Sequence, residues 1–341
     1  MSRRLSIWIL LLLVFVALVV VGAVAGSDTS RSTSAPLVRQ GVSYAGTKLQ
    51  DGSSNETVAI VPVTGTITNG DSAIGGSSTG ADDVIRQLDA IGRADDRFDG
   101  VILELDTPGG AVLAAAEMHD AIERLQRDHH IPVVAWMRST AASAGYYIAA
   151  PTRRIVAAPT TATGSIGVIL SYYDVSKLAS DVGVDEVVIK SGKLKDMGSP
   201  FRRITDEERA VLQSVIDEAF DGFVGVVAKG RDLSEPAVRK LADGRIYTGR
   251  QAKRLGLVDE LGFRATAYDA MAKLLDVDHG SELDVVEFRR SYGLLQSLTA
   301  GVEPSLTQLA TQRLPGGLLS SPGSLRSAGG GRINVEYRAE L

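Results

Sequence analysis

The chain has 341 residues, 44% of them hydrophobic and 23% charged, with a formal net charge of −5 and no cysteine. That length and apolar content supply a substantial core and exclude a disordered protein. The acidic balance, without any Lys/Arg-rich run, argues against a nucleic-acid partner, and the missing cysteines exclude disulfides and thiolate metal sites.

The first six residues carry Arg3 and Arg4, and an unbroken apolar run follows from Ile7 to Ala25. Nineteen residues at helical rise span about 28 Å, close to the thickness of a bilayer core. A secretory signal peptide has a similar charged start, and Ala23-Val24-Ala25 would suit its cleavage, but its apolar region is usually only about 7–15 residues long. The expectation is a cytoplasmic N-terminus over 1–6 and one retained transmembrane helix over 7–25. Because the arginines stay inside, everything after residue 26 is expected outside the cell membrane. Residues 26–56, rich in Ser, Thr and Gly, read as a flexible stalk.

The folded part is expected over 57–290. Val58–Val63, Gly100–Leu105, Pro132–Met137 and Arg154–Ala158 read as strands, while Ala81–Ile91, Ala111–Leu125 and the small-residue segment Ser139–Ala149 read as helices. Strands and helices in alternation with short links predict an α/β fold with a parallel sheet. Thr205-Asp206-Glu207-Glu208 has the spacing of a capping box and opens a long amphipathic helix through Val227. Shorter helices are expected after Ser234 and over Thr248–Leu255, the latter stopped by Gly256. From 291 to 341 the pattern decays into a partly low-complexity tail that ends on an extended-looking I-N-V-E-Y.

Several chemistries are absent from the sequence. There is no H-E-x-x-H, and His119, His129, His130 and His279 have no metal-ligand spacing with carboxylates, so no metal or cofactor is expected. No phosphate-cradling glycine motif follows a strand, and G-x-S-x-G fails because position 163 is threonine. Three segments remain, each after a strand, where ligands of α/β proteins usually bind. Asp106-Thr107-Pro108-Gly109-Gly110 is either a plain turn or a turn whose N–H groups point outward as an oxyanion hole. Ser143 is either a helix N-cap or a nucleophile among small neighbours. In Lys190-Ser191-Gly192-Lys193-Leu194-Lys195 any lysine can be solvated charge, yet a lysine is the base left to a serine that has no histidine nearby.

In order along the chain, D-T-P-G-G, S-T-A-A-S-A-G-Y-Y-I-A, T-G-S-I-G-V-I, S-G-K-L-K-D-M-G-S-P and D-G-R-I-Y-T-G-R-Q-A-K-R-L-G-L-V-D-E-L-G resemble the signal peptide peptidase A family of membrane-anchored serine proteases, from about residue 57 to 275. The resemblance implies a ClpP/crotonase-like fold of ββα units and a ring-like homo-oligomer in which neighbouring subunits help complete each dyad or groove. It implies Ser143 as nucleophile, Lys195 as general base, the Gly110 N–H as oxyanion donor shaped by the turn at Gly109, and the Ser165 hydroxyl orienting the Lys195 amine. It also implies an endopeptidase acting on remnant signal peptides or other apolar membrane-derived peptides. One departure is Ala144, where the family often has a second glycine; alanine is small enough for activity to be expected. Two other readings are a catalytically inactive membrane-anchored scaffold and a crotonase-like acyl-CoA enzyme. The tail, in turn, is expected either to add as a strand to a neighbour or to enter the groove as a regulatory peptide.

Overall fold

The computed structural model describes residues 33–39, 42–72, 77–94, 97–291 and 336–338. In chain order the elements are β1 (Thr33–Arg39), β2 (Val42–Gln50), β3 (Thr57–Thr64), β4 (Thr66–Thr68), β5 (Ser78–Gly80), α1 (Ala81–Gly92), β6 (Gly100–Thr107), β7 (Gly109–Ala111), α2 (Val112–Asp128), β8 (Val133–Ala142) and α3 (Ala144–Ala149). They continue with β9 (Arg154–Ala157), β10 (Ala162–Gly164), α4 (Ser176–Asp181), α5 (Asp206–Arg231), α6 (Glu235–Leu241), β11 (Ile246–Thr248), α7 (Gly249–Arg254), β12 (Glu260–Leu261), α8 (Arg264–Leu274), β13 (Asp284–Ser291) and β14 (Glu336–Arg338). The anchor expected over 7–25 lies outside the described residues. Among the described residues, no helix is long and apolar enough to cross a membrane.

The main sheet runs β1-β2-β13-β3-β6-β8-β10-β11, with β9 beside β8 and β12 beside β9. Its centre, β13-β3-β6-β8, is parallel throughout. Such strands are covered on both faces and so carry nearly continuous apolar runs. Alternate residues divide between two cores. Ala59, Val61 and Val63 of β3 and Val101, Leu103 and Leu105 of β6 join a large cluster with Ala114, Met118 and Ile122 of α2. On the other face, Val58, Ile60, Ile102, Val134 and Trp136 pack with Tyr268 and Met271 of α8. Each of the larger side chains among them, Val, Leu, Ile or Met, contributes roughly 1.5–3 kcal/mol when fully buried.

Two expectations are corrected here. The span read as stalk contains β1 and β2, which pair with each other and, through β2, with β13. Serine and threonine suit a strand as well as a linker, and the partner that holds β2 in place, β13, lies more than two hundred residues further on. The segment read as helix from Ser139 begins instead as the end of β8, and helix starts only at Ala144.

Strand β8 changes partners along its length. Val134–Met137 pair with β9, whereas Thr140–Ala142 pair with β10. The sheet therefore forks before Ser143, and a crevice at the carboxyl ends of parallel strands is where α/β folds bind ligands. A second, smaller sheet, β14-β7-β4-β5, stands at the same end.

Candidate active site

Ser143 sits between β8 and α3. Its backbone is fastened at both sides, with its N–H donating to the Gly164 carbonyl at 2.8 Å and its carbonyl accepting from the Tyr147 N–H at 2.9 Å. Between those anchors the chain must turn sharply, and Ser143 takes φ 56°, ψ −118°. A non-glycine residue in such a conformation costs on the order of 1–3 kcal/mol and persists only where its surroundings impose it. The side chain is fully buried, and its hydroxyl has no hydrogen-bond partner among the described residues. Although Ser143 occupies the N-cap position of α3, it makes no side-chain cap bond. The capping explanation of this serine thus fails on geometry. Ala144 is already helical and is not among the residues with positive φ, so the sharp turn falls on the serine itself.

The D-T-P-G-G turn lies beside it. Gly109 has φ 108°, a conformation open to glycine, and its N–H donates to Thr107 Oγ1 at 3.1 Å. Gly110 is glycine for a different reason, since a Cβ there would lie 1.9 Å from the Ile67 carbonyl oxygen of β4. The close approach at Gly110 follows from the pairing of β7 with β4, and α3 packs against β7 in turn. Thr107, fully buried, was missed as a site residue in the sequence even though it stands inside the motif; its hydroxyl defines the turn.

Ser165 follows β10 with φ 49°, and its N–H is held by the Arg245 carbonyl at 2.9 Å. It lines a cleft of about 570 Å³ together with Val168, Ile216, Phe220 and Ile246. The structure therefore gathers Ser143, Gly109, Gly110 and Ser165 around the carboxyl ends of β6, β8 and β10.

Lys195 is not brought into that group. It is exposed, on an arm between β10 and α5, and its amine makes no hydrogen bond with the Ser143 hydroxyl. What fixes its loop is an ionic clasp. Arg202 Nε donates to Asp196 at 3.0 Å, its Nη1 donates to Glu208 at 2.9 Å, and Lys190 donates to Asp196 at 2.5 Å. Glu208 also accepts from the Thr205 N–H, closing the capping box that starts α5. The Arg202 guanidinium, with Lys190, holds the Asp196 carboxyl well below the usual carboxylate range. Arg202 and then the Thr205 N–H hold Glu208 down to about 2. Lys190 is thereby committed to the loop, and Lys193 pairs with Glu207. Among these three lysines, Lys195 is the one without an ion-pair partner in the described structure.

Residues 125–278 match the family described as Peptidase family S49, a stretch that includes Ser143, Ser165 and Lys195 and begins after Gly110. A putative signal peptide peptidase SppA of Enterococcus faecium is 40% identical over 66% of this chain and 65% of its own length. The chain thus spans just under two thirds of that relative. A putative protease of Synechocystis is 37% identical over 73% of this chain and 85% of its own. Among solved structures, a ClpP1 mutant from Listeria monocytogenes aligns over 61% of this chain and 93% of its own, at 18% identity and a TM-score of 0.41, too distant a likeness to inform the chemistry. With this level of identity carried across most of the Synechocystis protein and with the ordered motifs around Ser143, the chain belongs to peptidase family S49, the signal peptide peptidase A family.

Proposed function

We propose that this protein is a serine endopeptidase, anchored in the cell membrane through residues 7–25, that hydrolyses apolar peptides such as signal-peptide remnants on the extracytoplasmic side. The observation that carries the reading is the buried Ser143 hydroxyl, unpartnered and held at a positive φ, beside a glycine turn. A buried polar group without a partner costs about 1–3 kcal/mol, so a side chain kept in that state in a strained backbone points to chemistry more than to stability. The relative named as a signal peptide peptidase supports the substrate class.

In this mechanism the neutral Lys195 amine takes the Ser143 proton as the oxygen attacks the scissile carbonyl. The oxyanion is met by the Gly110 N–H, the amine product leaves with the proton returned by Lys195, and water then releases the acyl group from Ser143. Ser165 orients the amine from the edge of the cleft. Because Ser143 and Lys195 do not meet within the described chain, the base is supplied by the arm of a neighbouring copy in a homo-oligomeric ring. The apolar residues exposed on that arm, Tyr173, Val187 and Ile189, support such an interface; Ile189 is 98% exposed.

The test is hydrolysis of an unstructured apolar peptide by wild type, Ser143→Ala, Lys195→Ala and a mixture of the two variants. The expected result is turnover that rises with pH in wild type, none in either variant alone, and partial recovery in the mixture. Full activity in Ser143→Ala would refute the nucleophile. Failure of the mixture to recover, with the oligomer intact, would refute the shared dyad.

A further inference from the structure

Helix α3 follows the proposed nucleophile directly, yet it is only six residues long. A helix of that length has no stability of its own, so its orientation is set by what it touches. At its far end α5 packs against it, where a Cβ on Gly230 would fall 2.2 Å from the Ala150 carbonyl oxygen. In its first turn the fully buried Tyr146 donates its hydroxyl to the Leu257 carbonyl at 2.8 Å. Burial pushes the Tyr146 phenol up, so it remains a neutral donor well above neutral pH.

Leu257 belongs to the L-G-L-V-D stretch, a motif that the chemistry described so far does not use. That stretch is firmly held. The Leu257 N–H donates to the Ala252 carbonyl at 2.9 Å. Asp259 is tied to β9 in both directions, its N–H donating to the Ile155 carbonyl at 2.9 Å and its carboxylate accepting from the Ile155 N–H at 2.7 Å. The same carboxylate accepts at 2.6 Å from the buried Arg231, the last residue of α5. The Leu257 carbonyl is therefore a fixed point fastened to the sheet and to α5, and Tyr146 links α3 to it.

We propose that Tyr146 is a positioning residue for Ser143: the bond from its hydroxyl to Leu257 fixes how far α3 is turned about its axis, and with it the direction of the Ser143 hydroxyl. This rests on the serine endopeptidase reading given above. Ser143 precedes Tyr146 by about one helical turn, and its carbonyl takes the first hydrogen bond of α3. A rotation of the helix is therefore passed straight to the turn at φ 56°. A strained backbone of that kind holds its place only when its surroundings fix it, and this tether is one of them.

Tyr146→Phe keeps the ring and removes only the hydroxyl. In peptide hydrolysis it is expected to lower kcat at least about tenfold with KM within about twofold of wild type, since misplacing a reacting atom by about 1 Å costs on the order of a hundredfold. Gln50→Leu is the stability control, because it deletes hydrogen bonds from β2 to the Gly280 and Leu283 carbonyls, with three strands between β2 and β8. It is expected to lower the unfolding temperature and leave kcat unchanged. Asp259→Asn loosens the fixed point without touching α3, and the double variant is expected to lose no more kcat than Tyr146→Phe alone. A wild-type kcat in Tyr146→Phe, or additive losses in the double variant, would overturn the proposal while leaving Ser143 as nucleophile. A second readout needs no turnover: the rate at which a fluorophosphonate modifies Ser143, followed by intact mass with Ser143→Ala as blank. In that reaction the serine oxygen bonds to phosphorus as fluoride leaves and the hydroxyl proton passes to a base in solvent, and Tyr146→Phe is expected to react at least about tenfold more slowly. If no form hydrolyses peptide, the protease reading fails and this rate decides: slower modification in Tyr146→Phe keeps the positioning, whereas equal rates, or none in any form, overturn it.

Discussion

Ser143 and Gly110 are both expensive residues, and they differ in what they would lose. Ser143→Ala removes a buried hydroxyl that has no partner among the described residues, so thermal unfolding is expected to stay level or to rise by the equivalent of about 1 kcal/mol while peptidase activity vanishes. A substantial loss of stability in that variant would mean that the hydroxyl has a structural partner. Gly110→Ala is the opposite case. Its Cβ would press on the Ile67 carbonyl at 1.9 Å, so β7 must move off β4. The expected outcome is destabilisation by about 1–3 kcal/mol in a denaturant titration, together with a drop in kcat of about a hundredfold as the proposed oxyanion donor shifts. The D-T-P-G-G turn and the serine among alanines were readable in the sequence as segments that follow strands, and each does follow one. Their physical reasons were not. Nothing local says that position 143 takes a positive φ, because that turn is imposed by the Gly164 carbonyl and by α3 on either side.

Among the elements, the arm that carries Lys195 is fastened by charge where the sheet is fastened by apolar packing. Glu208 is buried while Arg202 is about one-third exposed, so Arg202→Gln is expected to cost about 1–3 kcal/mol, between the values for surface and buried pairs. Both carboxyls of the clasp are shifted downward, which fixes the sign of its pH dependence. Its contribution is complete above the ordinary glutamate range, near pH 4.5, and declines as pH falls towards 2, where the folded Glu208 gains its proton. Stability measured against pH should therefore show a fall in the wild type over that acidic window that is shallower in Arg202→Gln. The capping box at Thr205 was legible because Thr and Glu three residues apart make a local pattern. Arg202 was not singled out, since its two acidic partners lie six residues away on either side and converge on it only in the folded loop. The central parallel strands were legible for the same local reason, being apolar at nearly every position. Strands of two or three residues, such as β4, β7 and β10, have no periodicity to read; they exist because longer neighbours hold them.

For the whole molecule, the exposed apolar residues of the arm make an assembly prediction. Ile189→Glu is expected to shift sedimentation from the oligomer towards the monomer and to reduce peptidase activity in proportion, and an unchanged oligomer would remove this arm from the interface. The alternation of strand and helix foretold the α/β layering, but the strand order could not be seen, because it depends on pairings between distant parts of the chain. Strand β13 inserts between β2 and β3, joining Gln50 to Val285 and Thr57 to Asp284. That insertion has a consequence for biosynthesis. While the ribosome is still making the middle of the protein, the edge of β2 that faces β13 and the edge of β3 both stand bare. The hairpin of β1 and β2 must wait until the last strand of the main sheet has emerged, and a chain cut short before residue 284 would present two unmatched sticky edges to a chaperone or to another nascent chain.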